Sequence, residues 1–151
     1  LLVQGATMKK KDTDDFERIR QKYGSSKQIT FLHKALVGKE WQSVIAGVDA
    51  LILPYAAERY RYQSSAMLST AIGYYKPVLV ADVMNPEVLA GYEVGMSFPA
   101  GDNQALQEKL TLFVNTFQDK VPTYNRELER FNVAFAPRKF AVSLGEVIKH
   151  S

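Results

Sequence analysis

The chain has no cysteine among its 151 residues, and it has only two histidines, His33 and His150. Disulfides, thiolate metal sites and a cysteine nucleophile are thereby excluded, and a histidine-rich metal centre is not available. No metal and no cofactor are expected. No apolar run approaches the roughly 20 residues that a membrane-spanning helix needs. The opening Leu1-Leu2-Val3-Gln4-Gly5 is too short for a signal peptide and lacks its basic start. The first residue is not Met, which reads as an internal fragment of a longer protein. Charge of one sign is also scarce: 19 basic and 16 acidic residues leave a formal net charge of +3. So mild an excess suits an anionic small ligand or an anionic membrane surface and does not argue for nucleic acid. Glycine-rich phosphate signatures are missing. Gly5 stands alone where a dinucleotide site would show Gly-x-Gly-x-x-Gly, and no Gly-x-x-x-x-Gly-Lys-Ser/Thr occurs. Asp82 and Glu58 do not make the acidic cluster of a response-regulator receiver.

What is present is an ordinary globular composition, 46% hydrophobic and 23% charged. The length suits one domain with one core. The apolar run at Leu1 to Val3, ended by Gly5, predicts a buried strand, followed by a basic turn at Lys9, Lys10 and Lys11. Residues 12–23 predict a helix. Asp12 or Thr13 can cap it, Phe16, Ile19 and Tyr23 share one face, and Gly24 stops it. Residues 28–32 predict a strand, and Gly38 and Lys39 open a short helix carrying Trp41, Val44 and Ile45. The continuous run Ala50-Leu51-Ile52-Leu53 has the character of a strand buried on both faces, ended by Pro54.

A polar and aromatic loop follows at residues 56–62. Ser64 or Ser65 can then cap a helix reaching Tyr74. Residues 77–81 predict another buried strand. Asn85-Pro86-Glu87 has the order of cap, first-turn proline and acidic residue. Residues 95–98 predict a last short strand, and residues 103–117 an amphipathic helix. Pro122 is expected to break the chain before two further helical stretches, residues 124–135 and 137–150.

Strand and helix therefore alternate about five times. That order predicts an α/β fold, a Rossmann-like three-layer αβα sandwich. Its parallel sheet has about five strands, and helices come last. Ligands of such sheets bind at the carboxyl ends of the strands. The loops to inspect are residues 5–11, 33–39, 55–63 and 82–87.

Three stretches carry a family resemblance: Ile29-Thr30-Phe31-Leu32, the run from Asp49 to Tyr55, and the run from Gln63 through Gly73-Tyr74-Tyr75-Lys76-Pro77-Val78 to Asp82. Together with Gly95-Met96-Ser97-Phe98-Pro99-Ala100-Gly101-Asp102, they resemble the C-terminal, donor-binding domain of family 4 glycosyltransferases. Those enzymes have the two-domain B-type glycosyltransferase fold. The resemblance runs from residue 1 to about residue 112, and the stretch opening near Ala136-Pro137 looks like the helix that crosses back to the N-terminal domain.

The resemblance implies transfer of a sugar from a nucleotide-diphosphate donor, a UDP- or GDP-sugar, to a glycan or lipid-linked acceptor. It also implies retention of configuration. It places the diphosphate at the helix opening at Gln63, Ser64, Ser65 and Ala66, where unpaired N–H groups and the helix dipole favour negative charge. It places the nucleobase near Leu32, His33 and Leu36. Of the two glutamates common in the family around this helix, Glu58 falls where the first would contact donor sugar. Thr70 aligns with the second, the ribose contact, and offers a hydroxyl where a carboxylate would offer two acceptor oxygens. The run ending at Gly5 looks like the second strand of the family's donor domain. One Rossmann-like domain over residues 1–151 is therefore expected, lacking its first strand–helix unit, the basic pair that follows it and the N-terminal acceptor domain.

Several of these residues also have structural readings. Ser64 and Ser65 serve as an N-cap in any helix. Glu58 fits a solvated loop, His33 fits a satisfied loop histidine, and Arg59 and Arg61 fit ordinary surface charge as well as phosphate neutralisation. Lys9 to Lys11 fit a solvated turn or contact with lipid headgroups. Tyr55, Tyr60 and Tyr62 are dense for one loop and suit stacking on a sugar or base, or packing against another domain. Two further function classes stay open. One is a sugar-nucleotide epimerase on the same fold. The other is a non-catalytic module, for which Thr70 speaks. A cytoplasmic site at the inner face of a bacterial membrane, in polysaccharide or cell-envelope synthesis, is the expectation by analogy, with peripheral membrane contact and no nucleic acid.

Overall fold

The computed structural model describes residues 1–136. The helix predicted over residues 137–150 lies outside the described residues. The chain divides into two compact units, Leu1–Val44 and a second that begins at Ile45.

The first unit holds β1 (Leu2–Gly5), α1 (Lys10–Tyr23) and β2 (Thr30–His33). The strands are parallel, with Leu2 opposite Thr30 and Gly5 opposite His33. Phe16 of α1 meets Phe31 of β2 edge-on, ring centroids 6.0 Å apart, and so fixes the helix on the strand. The helix starts earlier than its sequence suggests. Lys10 and Lys11 lie in its first turn, and neither Asp12 nor Thr13 is the cap. The Thr13 hydroxyl instead meets the Thr7 hydroxyl at 2.7 Å and the Lys9 carbonyl at 3.3 Å, tying the β1–α1 loop to the helix. Gly24 ends α1 in right-handed conformation, not the left-handed one that favours glycine. What demands glycine is space, since a Cβ would lie 2.5 Å from the Arg20 carbonyl oxygen.

The helix α2 (Gly38–Ala46) leads into the second unit, which contains β3 (Leu51–Leu53), α3 (Ala66–Gly73), β4 (Val78–Ala81), α4 (Pro86–Gly91), β5 (Gly95–Phe98) and α5 (Asn103–Ala134). Its sheet is parallel in the order β3-β4-β5. The central strand is the core: Val78, Leu79, Val80 and Ala81 are at most 1% exposed. This explains its unbroken apolar run, because a strand covered on both faces has no polar side to show. The helices α3 and α5 pack on each other and on this sheet.

Two expectations are corrected. The parallel strands of the described residues lie in two sheets, one within each unit. They are divided into β1-β2 and β3-β4-β5. Strand–helix alternation predicts parallel strands but not which of them share a ladder, and among the described residues the ladders join β1 to β2, β3 to β4 and β4 to β5. Nor does Pro122 break the chain, since it lies inside the 32-residue α5. Packing overrides the local rule: Phe113, Tyr124 and Leu128 lie on one buried face of that helix, on both sides of the proline.

The turn from α3 to β4 is a Schellman arrangement. Lys76 N–H donates to the Ala71 carbonyl and Tyr75 N–H to the Ile72 carbonyl, each at 2.9 Å. Its left-handed position falls on Tyr75, at φ 57°, rather than on glycine. The Glu129 carboxylate of α5 lies near the Tyr75 hydroxyl and, with some burial, raises its pKa above the ordinary tyrosine value. Asn132 of α5 also donates to the Ile72 carbonyl at 2.9 Å, so the long helix closes the carboxyl end of α3.

Candidate functional site

In the second unit the carboxyl end of β3 opens into the predicted polar and aromatic loop. Part of that loop is a short 3-10 helix, Glu58–Arg61. Within it Glu58 and Arg61 pair with each other at 3.0 Å, and both side chains are largely in solvent. Arg59 lies over the Tyr60 ring at 5.1 Å, and its carbonyl accepts the Gln63 N–H at 3.0 Å. Tyr55 and Tyr60 rings are 5.9 Å apart. Burial, with a smaller contribution from Tyr60, raises the pKa of Tyr55 above the ordinary tyrosine value. Tyr62 projects into solvent, 89% exposed.

The loop delivers the chain to α3. Its cap is Ser65 and not Ser64: the Ser65 hydroxyl accepts from the Leu68 N–H at 3.2 Å, and the residue is 2% exposed. Ser64 and Ala66 are exposed, and Thr70 is half-buried further along the helix. The Ser65 oxygen is thus committed to the helix itself. Replacement Ser65→Ala is expected to cost about 1 kcal/mol, read as a lower urea midpoint at unchanged m-value.

A residue that sequence reading placed elsewhere completes this corner. Asn85 sits at the N-cap position of α4, as predicted, but makes no side-chain cap. Its Oδ1 accepts from the Ser65 N–H at 2.9 Å, its Nδ2 approaches the Gln63 carbonyl at 3.5 Å, and its backbone N–H donates to the Tyr60 carbonyl at 3.2 Å. Ser65 N–H and Leu68 N–H are therefore satisfied. Among the described residues the N–H groups of Ala66 and Met67 have no protein partner, as the first turn of a helix requires. The corner presents two adjacent amide donors at the positive end of a helix dipole. Asn-Pro-Glu reads locally as a cap, so only the contact with a segment 20 residues upstream reveals the other use.

The remaining predicted residues lie in the first unit. Gly5 and His33 are register partners at the carboxyl ends of β1 and β2, Leu32 precedes His33 in the strand, and Leu36 is half-buried in the following loop. Both His33 ring nitrogens are engaged: Nε2 meets the Thr7 hydroxyl at 2.8 Å, and Nδ1 meets Glu17 Oε1 at 3.3 Å. The ring also stacks on Phe16, centroids 4.2 Å apart. Glu17 has its pKa lowered, chiefly by the hydrogen bond from Arg20 and less by His33. Its carboxylate favours the folded state above the ordinary Glu pKa, and that contribution fades as pH falls through the lowered value. Among the described residues no group of three or more His, Cys, Asp or Glu side chains could hold a metal ion. No helix there is long and apolar enough to cross a membrane.

No protein-family model matches the chain, and no curated protein matches it by sequence. Among solved structures it is similar to sucrose-phosphate synthase from Thermosynechococcus elongatus, at a TM-score of 0.66 and 19% identity. The likeness covers 99% of this chain and 38% of that one. It shows the fold alone: parallel sheets and helices in a Rossmann-like arrangement.

Proposed function

We propose that the chain is the donor-binding domain of a glycosyltransferase, of the kind found at the C-terminus of family 4 enzymes. The observation that carries the reading is the corner at α3, where two unpartnered amides stand at a helix N-terminus just beyond a buried parallel strand. A diphosphate fits there, because backbone N–H groups and the helix dipole both favour phosphate oxygens. In glycosyl transfer the departing nucleotide carries the charge that develops in the transition state, so fixed donors at that point stabilise it. The structural likeness supports the same class, since forming sucrose phosphate is a glycosyl transfer.

In this reading Ser64 and Ala66 border the diphosphate, and Arg59 and Arg61 add positive charge beside it. Glu58 reaches the donor sugar after leaving Arg61. The family resemblance assigns Thr70 to the ribose and, in the first unit taken by itself, Leu32, His33 and Leu36 to the nucleobase, with Gly5 a further candidate contact. The donor is a UDP- or GDP-sugar. A further strand–helix unit and an acceptor domain, elsewhere in a longer protein, would hold the glycan or lipid-linked acceptor at the inner membrane face. Thr70 favours one second reading, a non-catalytic module that binds or assembles without transferring sugar.

The test is titration with UDP, GDP and their common sugar conjugates, followed by amide NMR. Shifts clustered at residues 32–36 and 58–70 for one nucleotide are expected and would name the base. Silence at millimolar ligand that persists when the family's first strand–helix unit is restored would sink the donor-site reading. Binding without turnover in the longer protein would select the non-catalytic module.

A further inference from the structure

We infer that Asn85 is a positioning residue that presets the donor corner, an inference that rests on the donor-site reading above. One residue holds three points of the loop entering α3: the Tyr60 carbonyl, the Gln63 carbonyl and the Ser65 N–H. To do so it leaves α4 without a side-chain cap and adopts a left-handed backbone, φ 46° and ψ 62°. Asparagine tolerates that region better than most residues, yet such a conformation persists only where the surroundings enforce it.

The enforcement is visible in the chain just before it. Val83 and Met84 are each 1% exposed, and they follow β4, the most buried strand. Asn85 is therefore mounted on the rigid core and reaches out to a loop with little apolar anchoring of its own. Residues 54–59 and 61–64 of that loop are all exposed. Supporting side chains of this sort fix donor directions that the loop alone would leave variable.

Occupation of the Ser65 N–H has a second consequence. It removes the first amide from competition and leaves Ala66 and Met67 as an adjacent pair, a spacing suited to two oxygens of one phosphoryl group. Asn85 thus acts on ligand through α3 and touches none itself. Its loss should weaken phosphate recognition while leaving nucleoside recognition alone.

The experiment compares wild type with Asn85→Gly, which keeps the backbone conformation without strain and removes only the side chain. Without ligand, amide exchange at Ser65 should accelerate at least about tenfold in the variant, as loss of one buried hydrogen bond implies, while exchange at Leu128 is unchanged. Unaltered Ser65 exchange would overturn the inference whatever the protein binds. With ligand, affinity for UDP or GDP should fall roughly tenfold, and affinity for uridine or guanosine should hold. Equal loss for nucleotide and nucleoside, or no loss, would overturn it. Should wild type bind neither diphosphate even with the first strand–helix unit restored, the donor reading fails by itself, and the exchange arm still decides whether Asn85 holds the loop. Asn85→Asp keeps the acceptor for Ser65 and should restore its protection. If it does not, the tether is not the Oδ1 bond, and the inference falls even where Asn85→Gly fails to fold.

Discussion

Gly95→Ala should destabilise the second unit by about 3 kcal/mol, at the upper end of what overpacking a core costs. The added Cβ would lie 1.9 Å from the Val78 carbonyl oxygen and 2.8 Å from the Val78 nitrogen and carbonyl carbon. These are backbone atoms, so no rotamer change relieves the clash. Val78 is the register partner of Gly95 and is itself 0% exposed, so its strand has no room to recede. The damage should spread along β5. Its Phe98 carbonyl accepts the Asp82 N–H at 2.8 Å, and Asp82 Oδ1 accepts the Ala100 N–H at 3.0 Å. The carboxyl edge of the sheet therefore depends on β4 and β5 lying close.

Urea unfolding measures this, and a cost below about 0.5 kcal/mol would show that the strands can separate cheaply. Gly73 supplies the contrast. Nothing lies within 4 Å of a Cβ built there, although this glycine begins the Gly-x-x-Lys-Pro-Val motif that carried much of the resemblance. Gly73→Ala should be neutral or stabilise by up to about 1 kcal/mol, since alanine restricts the unfolded chain.

That contrast shows what the sequence made legible. The central buried strand could be read because the cause is local: Val78 to Ala81 are apolar since both faces are covered, whereas β1, also expected to be buried, is only half-buried. The same holds for the start of α3, where a serine before an apolar helix has one common use, and Ser65 has it. Readings failed where the cause is a distant partner. Asn85 looks like a cap to its neighbours, and its side chain answers to Ser65 instead. Lys10 and Lys11 read as a turn because their charge is conspicuous, whereas the Thr7–Thr13 hydroxyl pair shows how closely the loop follows the helix. The division into two sheets is a fact of ladder pairing, which alternation of strands and helices does not encode. Of the candidate site, the sequence identified the helix start. It could not say which amides the protein would use up itself, and that decides where an anion is offered hydrogen bonds.

Replacement of Pro122 by alanine should stabilise the protein, by about 2 kcal/mol. Inside a helix proline lacks the N–H that would bond the carbonyl four residues earlier, here Gln118, and its ring crowds that carbonyl, a cost of about 3 kcal/mol. Alanine gives back up to about 1 kcal/mol by loosening the unfolded chain, which leaves the smaller net gain. Little packing is lost, because Pro122 is exposed. The helix persists across the proline because its other face is buried. Phe113, Phe117 and Tyr124 form an aromatic trio with centroids 5.5 to 6.3 Å apart, and it brackets the proline. Leu128, 0% exposed, continues that face one turn on. Beyond it Asn132 closes the carboxyl end of α3, so a change in α5 at Pro122 acts on the helix that carries the proposed donor corner. A rise in melting temperature of roughly 4–8 °C is expected for a protein of this size. A fall would mean that α5 needs the proline's geometry to seat its two halves, and that straightening it pulls Asn132 away from α3. On the proposed donor-site reading, nucleotide affinity should then drop together with stability, whereas a purely local gain would leave affinity where it was.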